Sequence, residues 1–121
     1  MIILNASNDS LEIVTSAAGK IEYVIAYADH TSSGVTISNA LGTITTATTT
    51  TVVSAPAAGT TRQIRGIMIA NTSASTNNTL TVQIDTSGTN KKVMSFLLEY
   101  GENAQYTDGA GWKTISRLGS D

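Results

Sequence analysis

Apolar and polar residues alternate with a period of two along most of this chain, and no segment keeps a 3.6-residue period through three turns. Leu11, Ile13 and Thr15 fall on one face of a short strand. Ile21, Tyr23, Ile25 and Tyr27 share a face, with Glu22, Val24, Ala26 and Ala28 opposite. That segment is apolar on both sides, which predicts a strand buried at the centre of a sheet. Val35 and Ile37 mark a third strand beyond a turn-prone stretch at 29–34. Residues 43–54 include Thr48-Thr49-Thr50-Thr51-Val52-Val53. Successive β-branched side chains crowd the preceding turn of a helix, so extended backbone is expected there too.

Ala55-Pro56-Ala57-Ala58-Gly59 interrupts the pattern. Pro56, the one proline, cannot donate a ladder hydrogen bond and belongs in a loop or at a strand edge. Residues 62–71 resume it, with Ile64, Gly66, Met68 and Ala70 against Arg65, Ile67 and Ile69. After a polar loop at 72–78, Leu80, Val82 and Ile84 alternate with Thr81, Gln83 and Asp85. Thr86-Ser87-Gly88-Thr89-Asn90 predicts a hairpin connection with Gly88 free to take positive φ. The return strand at 91–100 sets Lys92, Met94, Phe96, Leu98 and Tyr100 against Val93, Ser95, Leu97 and Glu99. Ala104 and Tyr106 begin a short strand, Asp108-Gly109 is a tight turn, and Trp112 to Ile115 close the domain.

The fold class is therefore all-β, a single-domain antiparallel β-sandwich or jelly roll of about eight or nine short strands. The expected organisation is an N-terminal arm or edge strand at 1–8, the sandwich at 9–116 and a C-terminal tail at 117–121. Residues 1–54 are weakly patterned and 61–116 crisply so. One domain is still preferred over an arm plus a domain, because the strand around Ile25 needs partners and Ile44, Val52 and Val53 need burial.

Composition adds what the surface is made of. Only 13% of the 121 residues are charged, against about 25% in average soluble domains. Threonine, at 20 residues, supplies a β-branched body suited to a pleated strand and a hydroxyl suited to water. The net charge of −2 provides no electrostatic footprint for nucleic acid or an anionic membrane. There is no cysteine, hence no disulfide or thiolate metal site. No apolar run approaches the length of a membrane helix, about 20 residues, and no secretory signal is recognisable. Four Asn-x-Ser/Thr triplets, at Asn5, Asn8, Asn71 and Asn77, read as chance in a chain so rich in these residues.

Reactive constellations are sparse. His30 is the sole histidine and reads as a solvated loop residue, because one His without Cys cannot make a usual zinc site. There is no nucleophile elbow, no phosphate-cradling loop, and Gly109-Ala110-Gly111 fits a hairpin better than a dinucleotide fingerprint. Among the carboxylates only Glu22 falls within a strongly apolar strand. If buried, it would need Arg62 or Arg65 as a partner. No catalytic, cofactor-binding or metal residue is therefore nominated. Trp112 fits a cap on the core and also an anchor for a partner.

The segment from Ala55 to Ile115 carries a resemblance. It runs Ala55-Pro56-Ala57-Ala58, Arg62-Gln63-Ile64-Arg65, Ile67-Met68-Ile69-Ala70-Asn71, Leu80-Thr81-Val82-Gln83-Ile84 and Gly101-Glu102-Asn103-Ala104-Gln105-Tyr106-Thr107-Asp108-Gly109-Ala110-Gly111-Trp112. These residues, with Leu11-Glu12-Ile13-Val14 and Ile21-Glu22-Tyr23-Val24 upstream, resemble small β-rich structural proteins of tailed-bacteriophage virions. The resemblance implies a non-enzymatic subunit, made in the host cytoplasm and incorporated in the virion as a homo-oligomer, a trimer first. Its implied partners are the major capsid protein or other virion subunits, with no cofactor, nucleic acid or membrane involved.

The leading expectation is a capsid decoration or cement protein. Ile2, Ile3 and Leu4 would then add a strand to a neighbour's sheet edge, and Trp112 is the other candidate interface residue. A tail, collar or fibre component is the alternative. A receptor- or glycan-binding module would require an exposed aromatic cluster, and an enzyme would require His30 beside two carboxylates.

Overall fold

The computed structural model describes residues 1–116 as ten strands and no helix: β1 Ile2–Leu4, β2 Asp9–Thr15, β3 Ile21–Thr31, β4 Gly34–Ile44, β5 Thr49–Val53, β6 Thr61–Asn71, β7 Asn78–Thr86, β8 Thr89–Leu98, β9 Asn103–Thr107 and β10 Gly111–Ile115. The tail expected at 117–121 lies outside the described residues. All pairings are antiparallel. The larger sheet has the order β10-β9-β6-β3-β4, with β1 on β6 beyond the end of β9, and the smaller has the order β5-β2-β7-β8. Two sheets with one shared core make this the β-sandwich expected from the alternation.

The inward residues of each strand meet between the sheets. Ile21, Ile25, Ile64, Ile67 and Ile69 of the larger sheet and Leu11, Ile13, Leu80, Val82 and Leu98 of the smaller are essentially solvent-free. Strands from the weakly patterned half sit inside both sheets: β3 lies between β4 and β6, and β2 between β5 and β7. Ile44, Val52 and Val53 are buried as their composition demanded.

Among the described residues three ladders slip register; the β2–β5 slip leaves Val52 as an extra residue on β5, and the other two reverse faces that strict alternation predicts. The β3–β6 register slips between Ala26 and Tyr27, leaving Arg65 as an extra residue on β6. Ile64 therefore joins Ile67 and Ile69 inside instead of facing out with Gly66, Met68 and Ala70. The β7–β8 register slips between Val82 and Gln83, with Val93 the extra residue, so Lys92 leaves the face of Met94, Phe96 and Leu98. An added residue reverses every side chain beyond it, because the strand period is two.

The turn-prone stretch 29–34 is narrower than expected. Both strands run through it and only Ser32 and Ser33 turn the chain, so His30 lies on a strand, opposite Val35, and not in a loop. At the β7–β8 turn, Ser87 and Gly88 both have positive φ, 50° and 92°, the geometry that matches a two-residue hairpin to strand twist. Two buried asparagines fasten the ends of the sandwich. Asn71 Nδ2 donates to the carbonyls of Thr76 and Leu98, each at 2.9 Å, while its Oδ1 accepts from Ser73 N–H. Asn78 Oδ1 accepts from the N–H groups of Ser16 and Ala17, and its Nδ2 donates to Ala17 O.

Candidate functional site

The interface residues named from sequence are engaged inside the chain. Ile2 pairs with Ile64 and Leu4 with Arg62, and both side chains are buried in the core cluster. Ile3, between them, is half-buried opposite Gln63. The N-terminal segment is thus a short strand of its own sheet and not a free arm. Trp112 packs 5.8 Å from Phe96 and 5.3 Å from Tyr106, centroid to centroid. This cluster closes the gap between β10 and β8, as a core cap does. No hydrogen bond of good geometry reaches the buried Tyr106 hydroxyl; burial raises its pKa above the usual tyrosine value and Asp108 raises it further, against the opposing effect of the Ile2 backbone. All six aromatic residues are buried or half-buried, with none forming the exposed cluster a glycan module would present.

The ionisable groups are spread among separate local partners. His30 Nε2 lies 3.1 Å from Gln63 Oε1, and since an amide oxygen only accepts, that ring nitrogen carries the proton. Gln63 in turn donates to Asp108 at 2.5 Å. His30 meets one carboxylate only through an amide. Arg62 donates from Nε and Nη2 to the two oxygens of Asp29, at 2.7 and 3.0 Å, and lies 4.5 Å over the Tyr27 ring. The hydrogen bond to Asp29 pushes the Arg62 pKa above its ordinary value, against the opposing effect of burial. Glu22 is half-exposed and pairs with Lys20 at 3.3 Å, so neither Arg62 nor Arg65 is its partner. Among the described residues, no three or more His, Asp or Glu converge as a metal site, and no helix is long and apolar enough to cross a membrane.

The feature that sequence reading missed is the outer face of the larger sheet. β3 is apolar on both sides, yet only one side is covered. Val24 is opposite Leu41 on β4 and Met68 on β6, and the three are 46%, 71% and 50% exposed. They form one uncovered cross-strand row. Beside it Val24, Ala26, Gly66, Ile67, Met68, Gln105, Tyr106 and Thr107 line a shallow groove of about 240 Å³, its floor low because Ala26 and Gly66 have little or no side chain. Val35 and Ile37 (72% exposed) continue the apolar surface along β4. Apolar residues on both sides of β3, next to an uncharged β4, were the available signal. That pattern predicts burial on both faces, which a two-layer fold cannot supply.

The fold and this surface define a two-layer antiparallel β-sandwich with one uncovered apolar face. Comparison with known proteins adds no relative: no family model, no curated protein and no solved structure matches the chain significantly.

Proposed function

We propose that this chain is a non-enzymatic virion structural protein, a decoration or cement subunit that binds and stabilises a phage head through the outer face of its larger sheet. The observation that carries this reading is the uncovered row Met68, Val24 and Leu41 with its adjoining groove. Large contiguous apolar patches on soluble domains mark sites of association. The surrounding surface suits repeated contact, because Thr and Ser lose little rotamer freedom when ordered, unlike Lys and Glu. Symmetric repetition then turns modest contacts into high avidity. The likeness of residues 55–115 to phage structural proteins supports a virion as the setting, and a tail, collar or fibre component is the alternative to the head.

The test is co-sedimentation of the purified chain with heads of its phage assembled without it, followed by cryo-EM of the decorated particles. Met68→Lys charges the row, and Gly66→Val fills the groove, where a Cβ would meet the Tyr106 carbonyl at an ordinary 3.5 Å. Both are expected to weaken binding at least roughly tenfold, a loss of about 1.4 kcal/mol, with unchanged thermal melting. Density only on the tail, or no binding by the unaltered chain, would overturn the reading.

A further inference from the structure

Strand β4 is an open edge eleven residues long, and from Gly34 to Ile44 it contains no charge and no proline. Natural sheets blunt their free edges with lysine, proline, bulges or shortness. The other free edges here follow that rule: β8 carries Lys91 and Lys92, β10 is five residues long with Lys113, and β5 is five residues long. An unblunted long edge offers backbone N–H and C=O groups to another strand, and its sequence says which strand fits.

The hydrogen-bond phase identifies the free groups. Thr72 N–H donates to Lys20 O at 2.9 Å, continuing the β3–β6 ladder. Even-numbered residues at the start of β3 therefore turn their peptide groups toward β6 and odd-numbered ones toward β4. Odd residues of β3 face even residues of β4 (Ile21 with Ile44, Tyr23 with Gly42, Ile25 with Ala40). That leaves Val35, Ile37, Asn39, Leu41 and Thr43 with N–H and C=O directed to the open side. The same five residues are exposed.

We propose that β4 pairs antiparallel with β4 of a second copy of this chain, joining two larger sheets into one across a two-fold axis at Asn39. This deepens the assembly reading above by naming a partner for the same sheet. The register that overlaps all eleven residues sets Gly34 against the partner's Ile44 and Asn39 against the partner's Asn39. It also sets Ile37 against the partner's Leu41, and by symmetry the reverse, so the two most exposed aliphatic side chains of the strand cover each other twice. A shift of two residues either way places Ile37 or Leu41 against asparagine instead. With no charge on the strand, two identical copies meet without repulsion, and a strongly charged partner finds nothing to match. The joined sheet runs the row Met68, Val24, Leu41 directly into the partner's Ile37. Stable dimers bury about 800 Å² per partner. A single strand about 35 Å long falls below that, so the dimer is expected to be reversible.

The chain has no cysteine, so Asn39→Cys introduces a single thiol at the axis. Hydrogen-bonded antiparallel partners have Cα atoms about 5.5 Å apart, within disulfide reach. Mild oxidation is expected to cross-link Asn39→Cys readily, while Thr43→Cys, about 27 Å from its symmetry mate in this register, stays unlinked. Analytical ultracentrifugation of the full chain is expected to show a monomer–dimer equilibrium. Leu41→Lys is expected to raise its dissociation constant roughly a hundredfold, since the change occurs twice across the axis. Equal cross-linking of the two cysteine variants, a trimer, or a monomer at all concentrations would overturn the proposal. If the chain is monomeric yet Leu41→Lys abolishes head binding, β4 serves a different virion subunit and the second copy is ruled out. Head binding by a monomer, or dimerisation without head binding, separates the failure of this proposal from that of the function above.

Discussion

Strands β4 and β8 end the two sheets at similar length, eleven and ten residues, and are made of opposite materials. The β8 edge presents Lys91 and Lys92 near its turn, followed by a bulge at Val93 that distorts the ladder. The β4 edge has an unbroken register along its whole length and exposes aliphatic side chains. Both strands derive their stability from the same core, so the difference lies in what a neighbouring strand would encounter. A charged, bulged edge repels or misaligns it, and a flat apolar edge aligns it.

Substitutions of adjacent residues sharpen this contrast first at its foundation. Ile25 and Val24 are consecutive on β3, one solvent-free and one exposed. Ile25→Ala is expected to cost about 2–5 kcal/mol and Val24→Ala less than about 0.5 kcal/mol, read as urea midpoints. Equal costs would mean that the outer row is covered in solution. Next in size is Asn71→Ala, which removes the bond to the Leu98 carbonyl at the end of β8 along with two others. A loss of about 1–3 kcal/mol is expected from the groups left unpaired.

The edges themselves are tested by exchange. Replacing Lys91 and Lys92 together by Val should create new concentration-dependent association, visible by light scattering, with little change in melting temperature. If the double variant stays as soluble as the parent, lysine is not what keeps β8 free. The smallest effect is expected at Tyr106, whose buried hydroxyl makes no hydrogen bond of good geometry and has only the Ile2 backbone beside it. Tyr106→Phe should leave stability at neutral pH unchanged or raise it by up to about 1 kcal/mol. Its folded pKa is raised, so the native state holds its proton where the unfolded chain, with a tyrosine pKa near 10, releases it. Stability from this group is therefore complete below about pH 10 and falls as pH rises beyond it. That alkaline fall should shrink in the Phe variant, as alkaline denaturation curves would show.

Most of the fold was legible in the alternation of residues, because one face of nearly every strand is buried and the other wet. The inward sets Leu11/Ile13 and Leu80/Val82, and the Ser87-Gly88 turn, could be read directly. What could not be read were the bulges, at Arg65, at Val93 and at Val52 where the β2–β5 register slips. Arg65 and Val93 look like ordinary members of an alternating run, and the slip depends on the partner strand. The place of Ile2 and Leu4 was hidden for a related reason. Ile2 and Leu4 are apolar whether they serve the chain's own core or a neighbour's. Their burial follows from the place left open beside Arg62–Ile64 on β6, which β1 fills, and local sequence does not reveal that vacancy. Likewise, apolar residues on both sides of β3 cannot tell a third layer from an uncovered face.

Asn71 begins one of the four glycosylation triplets, and it is 1% exposed with every polar atom of its side chain committed. A sugar on that nitrogen would take the place of a hydrogen that bonds Leu98 or Thr76, inside a space already filled. The folded domain and a glycan at Asn71 are therefore mutually exclusive. Passage through a glycosylating secretory route would turn this residue into a trap, because modification reaches the nascent chain before the sandwich closes. Production in a bacterial cytoplasm avoids the trap. Conversely, a glycan detected at Asn71 would report that the chain had been caught open.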